Sequence, residues 1–107
     1  MIPKVNRVDR KSIDQIFKTG RFVNSTNLTF KFLKSPTLNS YRISFVAPKS
    51  VAKLAVKRNL LRRRGYNALK KINTTPFGII GIFVFKNSLV SISELENEIK
   101  TIFSKIN

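Results

Sequence analysis

The run Lys57-Arg58-Asn59-Leu60-Leu61-Arg62-Arg63-Arg64 holds the groups of this 107-residue chain best suited to chemistry, and that chemistry is anion recognition. A guanidinium is planar, permanently charged, and donates two parallel hydrogen bonds to paired oxygens, which suits phosphate. On a helix, Arg58, Arg62 and Arg63, with Lys70 further on, form a rail of donors ~18 Å long at 1.5 Å per residue, enough for several consecutive phosphates. Asn59 adds a donor and an acceptor on the same side, able to reach a sugar, a base edge or a metal-bound water. Lys57 and Arg64 take the other flank. No acidic residue occurs between Asp14 and Glu94, whereas fifteen Lys or Arg do. A solvated helix face usually interleaves Glu with Lys at i,i+4 spacing; with no carboxylate present, the run reads as a binding surface for a polyanion. If about six phosphates are neutralised, log affinity falls against log salt with a slope of about −5.

Other chemistries are excluded by what is missing. The chain has no Cys and no His, which removes disulfides, thiol catalysis, a Ser-His-Asp triad and the ordinary zinc sites. Its five carboxylates lie near the ends, so neither a carboxylate dyad nor a carboxylate metal cage is expected. No catalytic residue and no metal ligand is therefore assigned. A net charge of +16 points to nucleic acid first and an anionic membrane surface second. An apolar content of 42%, with nine Phe, is enough for a core, so residues 1–107 are read as a single nucleic-acid-binding domain rather than a disordered basic tail. No apolar run approaches the ~20 residues that span a bilayer, and the N-terminus has no secretory apolar stretch. A cytoplasmic protein with no membrane partner is expected.

The elements that must position these groups follow from periodicity. Ser12-Ile13-Asp14-Gln15 fits a capping box, Ile13, Ile16 and Phe17 share a face, and Gly20 supplies a stop, giving a helix over roughly 12–19. Leu28-Thr29-Phe30-Lys31-Phe32 alternates as a strand, with a possible short strand before it at 21–23. After a loop at 35–40 comes a second alternating strand, 41–47, ended by Pro48; the two are expected to pair as an antiparallel hairpin. From 54 to 72 the pattern is helical, with Leu54, Leu61, Gly65, Ala68, Leu69 and Ile72 in one apolar stripe and Tyr66 on the polar side with the rail. Gly65 inside that stripe marks either a close approach to the sheet or a local break. A loop at 73–76 leads to strand 78–85, apolar on both faces and therefore central. Ser91 to Glu96 offers two overlapping capping boxes for a last helix with Ile92, Leu95, Ile99, Ile102, Phe103 and Ile106 on one face. The expected fold is a small α+β sandwich of order α-β(β)-β-α-β-α.

In this setting Ala55-Val56-Lys57-Arg58-Asn59-Leu60-Leu61-Arg62-Arg63 resembles the signature helix of the bacterial ribonuclease P protein subunit, an Arg-Asn-Arg core followed by a Lys/Arg-Arg pair. Phe45-Val46-Ala47-Pro48-Lys49 resembles that family's strand ending in a lysine-bearing loop. Asn6-Arg7-Val8, Ile13, Ile16-Phe17-Lys18 and Gly20 resemble its opening pattern. Strand 79–85 and the last helix complete the likeness, in order, over nearly the whole chain. The departures mark a divergent member. Leu60 stands at the third position of the Arg-Asn-Arg core, so that contact is either lost or supplied by Arg64 one turn later. The spacing from Lys49 to Arg58 is a residue longer than usual, and Gly65 and Tyr66 stand where the family often has apolar and basic side chains.

The resemblance implies the protein cofactor of a ribozyme, whose RNA subunit removes the 5′ leader of precursor tRNA using bound Mg²⁺. It implies partners of catalytic RNA and precursor tRNA, a monomeric protein holding no cofactor by itself, and a left-handed β-α-β crossover against the usual preference. The RNA-binding residues would be Lys49, Lys53, Lys57, Arg58, Asn59, Arg62, Arg63, Arg64 and Lys70. The leader cleft, between the sheet and the first helix, would include Ile13, Phe17 and Lys31. For Phe17 the alternative is core packing, for Lys31 a solvated edge lysine, and for Tyr66 packing rather than stacking on a base. A ribosomal or other structural RNA-binding protein explains the charge and size equally well, but not the ordered resemblance.

Overall fold

A computed structural model of the chain describes residues 10–35, 41–72, 78–88 and 90–106; the Asn6-Arg7-Val8 motif and most of the loops expected at 35–40 and 73–76 lie outside these. The elements run α1 (Arg10–Thr19), β1 (Arg21–Asn24), β2 (Leu28–Lys34), β3 (Tyr41–Val46), α2 (Ala55–Lys70), β4 (Ile79–Phe85) and α3 (Ile92–Ile106). This is a small α+β fold of one four-stranded sheet and three helices. The first helix starts at Arg10, so Ser12 lies within it rather than at its N-cap.

The sheet order is β1-β2-β4-β3. The expected β2–β3 hairpin does not form: β4 lies between them, antiparallel to β2 and parallel to β3. Closeness in sequence favours a hairpin, but burial decides otherwise. Strand β4 is apolar on both faces, and only a central place covers both faces and satisfies both hydrogen-bonding edges. Strand β3 carries Arg42 and tolerates an edge. The hairpin that does form joins β1 to β2, with Arg21 opposite Phe32 and Asn24 opposite Thr29.

One face of the sheet packs on α2 and α3 around a row of phenyl rings. Phe30, Phe83 and Phe45 are register partners across β2, β4 and β3. Their rings stack, with centroids 4.3 Å apart for Phe30–Phe83 and 5.0 Å for Phe45–Phe83. Phe103 of α3 meets Phe30 edge-on at 5.9 Å. Two glycines make room for the row. A Cβ on Gly81 would fall 2.3 Å from Phe30 Cζ, and one on Gly65 would fall 2.4 Å from Phe45 Cδ2. Gly65 is thus a close approach of α2 to the sheet, and the helix continues unbroken through it.

Along α2 the buried stripe is Leu61, Gly65, Ala68 and Leu69, with Ile72 just beyond the helix. Leu54 is not part of it: it sits at the N-cap with extended backbone and is 58% exposed. Helix α3 opens on the Ser91–Glu94 capping box, the Glu94 N–H donating to Ser91 Oγ and the Ser91 N–H to Glu94 Oε1. It then buries Leu95, Ile99, Ile102, Phe103 and Ile106. Among the described residues the opposite sheet face is covered by α1 alone, whose buried Ile16 packs on Ile82 with Ile13, Leu33, Val46, Ile80 and Val84 around them. Among the described residues no helix is long and apolar enough to cross a membrane.

The β1–β2 turn is tied down by one carboxylate. Glu98 of α3 accepts from Ser25 Oγ, from the Asn27 backbone N–H at 2.7 Å and from Asn27 Nδ2 at 2.7 Å. The Asn27 carbonyl in turn accepts from the Lys86 N–H at 2.8 Å, so three chain segments meet there.

Two stability predictions follow from these contacts. In Gly65→Ala, displacing the enclosed Phe45 ring costs about 1–3 kcal/mol, against a gain of about 1 kcal/mol in helix propensity; urea unfolding should give a lower midpoint than the parent, and a higher one would contradict the packing argument. Glu98→Ala should destabilise by about 1–3 kcal/mol, because buried Asn27 keeps its donors and loses their acceptor; Glu98→Gln, which preserves one acceptor oxygen, should lose less in the same assay.

Candidate nucleic-acid interface

Helix α2 divides its cations between two flanks, as 3.6 residues per turn requires. Arg58, Asn59 and Arg62 face a groove of about 500 Å³ that runs beside the free edge of β3, with Ile13 of α1 on its far wall. Lys57, Arg63 and Lys70 are exposed on the helix surface. Arg64 turns toward the start of α3, where its Nη1 lies 3.5 Å from the Val90 carbonyl. Leu60 is exposed, with Val56 one turn before it and Arg64 one turn after.

The lysine-bearing loop is held against the same end of α2. The Val51 and Ala52 N–H groups both donate to the Pro48 carbonyl, at 3.0 and 3.1 Å, which folds 48–52 into a tight turn. Arg58 Nη1 donates to the Ala52 carbonyl at 3.1 Å and to the Lys53 carbonyl at 2.7 Å. Arg58 therefore does two things: one nitrogen fixes the loop that presents Lys49 and Lys53, and the rest of the fork stays on the groove side. Arg62 Nη1 donates to Asn59 Oδ1 at 3.2 Å, which pre-orients both side chains toward one target.

Tyr66 does not stand on the polar side with the rail. It is buried, its ring meets Phe45 edge-on at 5.0 Å, and its hydroxyl accepts the Phe45 N–H at 3.3 Å. That N–H belongs to edge strand β3, so Tyr66 forms the groove floor and satisfies a donor that would otherwise face it.

The second region is the sheet face that α1 only partly covers. Phe17 is 49% exposed, which removes the core-packing alternative, and Lys31 Nζ lies 4.5 Å from its ring centroid. Lys31 is half-buried on β2, on the face opposite Phe30 and Phe32. Ile13 joins the two regions, since it lines the groove and packs with the Ile16–Ile82 cluster. Phe22 of β1 also lies on this face, opposite Lys31 in register. It escapes sequence reasoning because one Phe in a four-residue strand sets no period; the inward-facing Val23 beside it is the only local signal.

Among the described residues only one carboxylate belongs to the elements that form these regions, Asp14 of α1, which is exposed and in no ion pair. The four strands contribute Arg21, Lys31, Lys34 and Arg42 and no carboxylate. Lys71–Glu96, at 3.6 Å, is the one ion pair among the described residues, and it lies between α2 and α3, away from the groove. A surface of this kind has the charge to attract an extended polyanion and the arginine forks to bind paired phosphate oxygens.

Comparison with known proteins agrees with this geometry. The backbone superimposes on the RNase P protein from Thermotoga maritima with a TM-score of 0.81 at 18% identity, covering 94% of this chain and 97% of that one. The Staphylococcus aureus RNase P protein gives a TM-score of 0.79 at 17% identity, covering 96% of this chain and 95% of that one. No curated protein matches significantly by sequence. The family model for ribonuclease P, however, matches residues 2–107. The chain therefore belongs to the ribonuclease P protein family.

Proposed function

We propose that this chain is the RNA-binding protein subunit of a ribonuclease P, holding the catalytic RNA with α2 and its loop and the 5′ leader of precursor tRNA with the open sheet face. The observation that carries this reading is the groove in which Arg58, Asn59 and Arg62 converge with no carboxylate among the described residues that line it. Lys49, Lys53, Lys57, Arg63 and Lys70 extend the same positive surface, and Arg64 borders it on the α3 side. Ile13, Phe17 and Lys31 provide apolar, aromatic and cationic contacts suited to an unpaired strand.

The division of labour in this reading is the one the family likeness implies. Hydrolysis of the leader linkage belongs to the RNA subunit and the Mg²⁺ it binds. The protein lowers the repulsion between two polyanions and fixes the leader's path, so its benefit is greatest when Mg²⁺ is scarce. A net charge of +16 opposes self-association, which supports a monomer acting in the cytoplasm with its RNA partners.

Reconstitution with the matching catalytic RNA tests the whole reading. Precursor-tRNA cleavage at low Mg²⁺ should be strongly stimulated by the protein, while the protein alone should cleave nothing; absence of stimulation would favour a structural RNA binder of ribosomal type. At the residue level, Arg62→Ala should weaken binding to the catalytic RNA and flatten the log–log salt slope by about one unit. Arg58→Ala should do the same and additionally free the Lys53 loop. An unaltered slope in both variants would sink the rail.

A further inference from the structure

We infer that Phe22 is a base-stacking residue, which carries the single-stranded RNA path beyond α1 and onto edge strand β1. The inference rests on the leader-binding reading above and deepens it. Phe22 is 63% exposed, the most exposed aromatic side chain among the described residues. It is not adrift on the surface. In the β1–β2 register it stands opposite Lys31, and directly opposed side chains lie on the same face within contact range. Lys31 in turn holds its ammonium 4.5 Å from the Phe17 centroid. Phe22, Lys31 and Phe17 therefore follow one another across the face, with the ammonium lying against the Phe17 ring.

The chemistry of that row selects its occupant. A flat ring exposed beside a fixed cation suits a ligand that offers a planar face and a negative charge together, and an unpaired nucleotide offers both. A base inside a duplex is already stacked and leaves no face for the ring. A second copy of this chain would bring another +16 to the same surface, which charge opposes. On this face the strands contribute Lys31 and Arg42 and no carboxylate to repel a phosphate. The next row reinforces the edge, where Thr29 Oγ1 donates to Asn24 Oδ1 at 2.8 Å across the same pair of strands. That bond holds β1 in register with β2, so the ring is presented on a rigid hairpin rather than on a loose end.

The test uses the complex reconstituted from the protein and its catalytic RNA, with precursor tRNAs bearing either an unstructured leader of about ten nucleotides or a leader of about one. The parent complex should bind the long-leader substrate more tightly. Phe22→Ala should lower that affinity by at least about fivefold, leave the short-leader affinity unchanged, and leave thermal unfolding of the free protein near the parent value. Phe22→Tyr should behave as the parent, whereas Phe22→Leu, apolar but not flat, should behave as the alanine variant. Two results would overturn the inference while leaving leader binding intact: parent-like long-leader affinity in Phe22→Ala with a clear loss in Phe17→Ala, or full retention in Phe22→Leu. A parent complex indifferent to leader length would instead overturn the leader reading itself. A dimer of the parent protein in sedimentation, broken by Phe22→Ala, would assign the ring to self-association.

Discussion

The row of Phe30, Phe83 and Phe45 across three strands is the contact on which the rest of the structure depends. Those rings can stack only if β4 lies between β2 and β3, so the row and the strand order are one fact. They also demand space that two glycines leave open, one on β4 and one on α2. Because Gly65 lets α2 settle onto Phe45, the helix comes down beside the free edge of β3. The groove, the buried Tyr66 and the aim of Arg58 and Arg62 all follow from that seating. A functional surface of flexible cations is thereby set on a rigid aromatic base.

The second organising constraint is where the few carboxylates go. All three glutamates lie in α3, and each has a local partner. Glu94 caps the helix, Glu96 pairs with Lys71, and Glu98 ties down the β1–β2 turn through Asn27. None faces the groove or the open sheet face. The glutamate charge is thus confined to α3 and engaged in structure, while Asp14 stands exposed on α1. The cations of α2 and of the strands remain available to an external polyanion. The hairpin held by Glu98 is the one that carries Phe22 and Lys31, so the acidic helix also sets the geometry of the opposite face.

Much of this was legible from residue order. The helical stripe of α2, the amphipathic α3 with its Ser91 cap, and the doubly apolar β4 are local patterns, and each appears where its period places it. The division of α2 into two cationic flanks is equally a matter of angle per residue. Reading failed where a partner distant in sequence intervenes or where the chain leaves the helix. Tyr66 projects onto the polar side by angle alone, yet the ring and the N–H of Phe45 draw it into the core. Leu54 fits the apolar stripe by angle, yet the chain turns at the N-cap before the stripe begins.

By itself the sequence determined the charge, its concentration without opposing carboxylates, the identity and order of the elements and the family likeness. These depend on composition and on neighbours a few residues apart, which the chain carries with it in any conformation. Only the tertiary structure decided which strands meet, which flank of α2 faces a groove, and that Phe17, Lys31 and Phe22 form one row. Those outcomes depend on long-range burial: β4 takes the centre because nowhere else covers both its faces, and every cross-strand neighbour is fixed once it does.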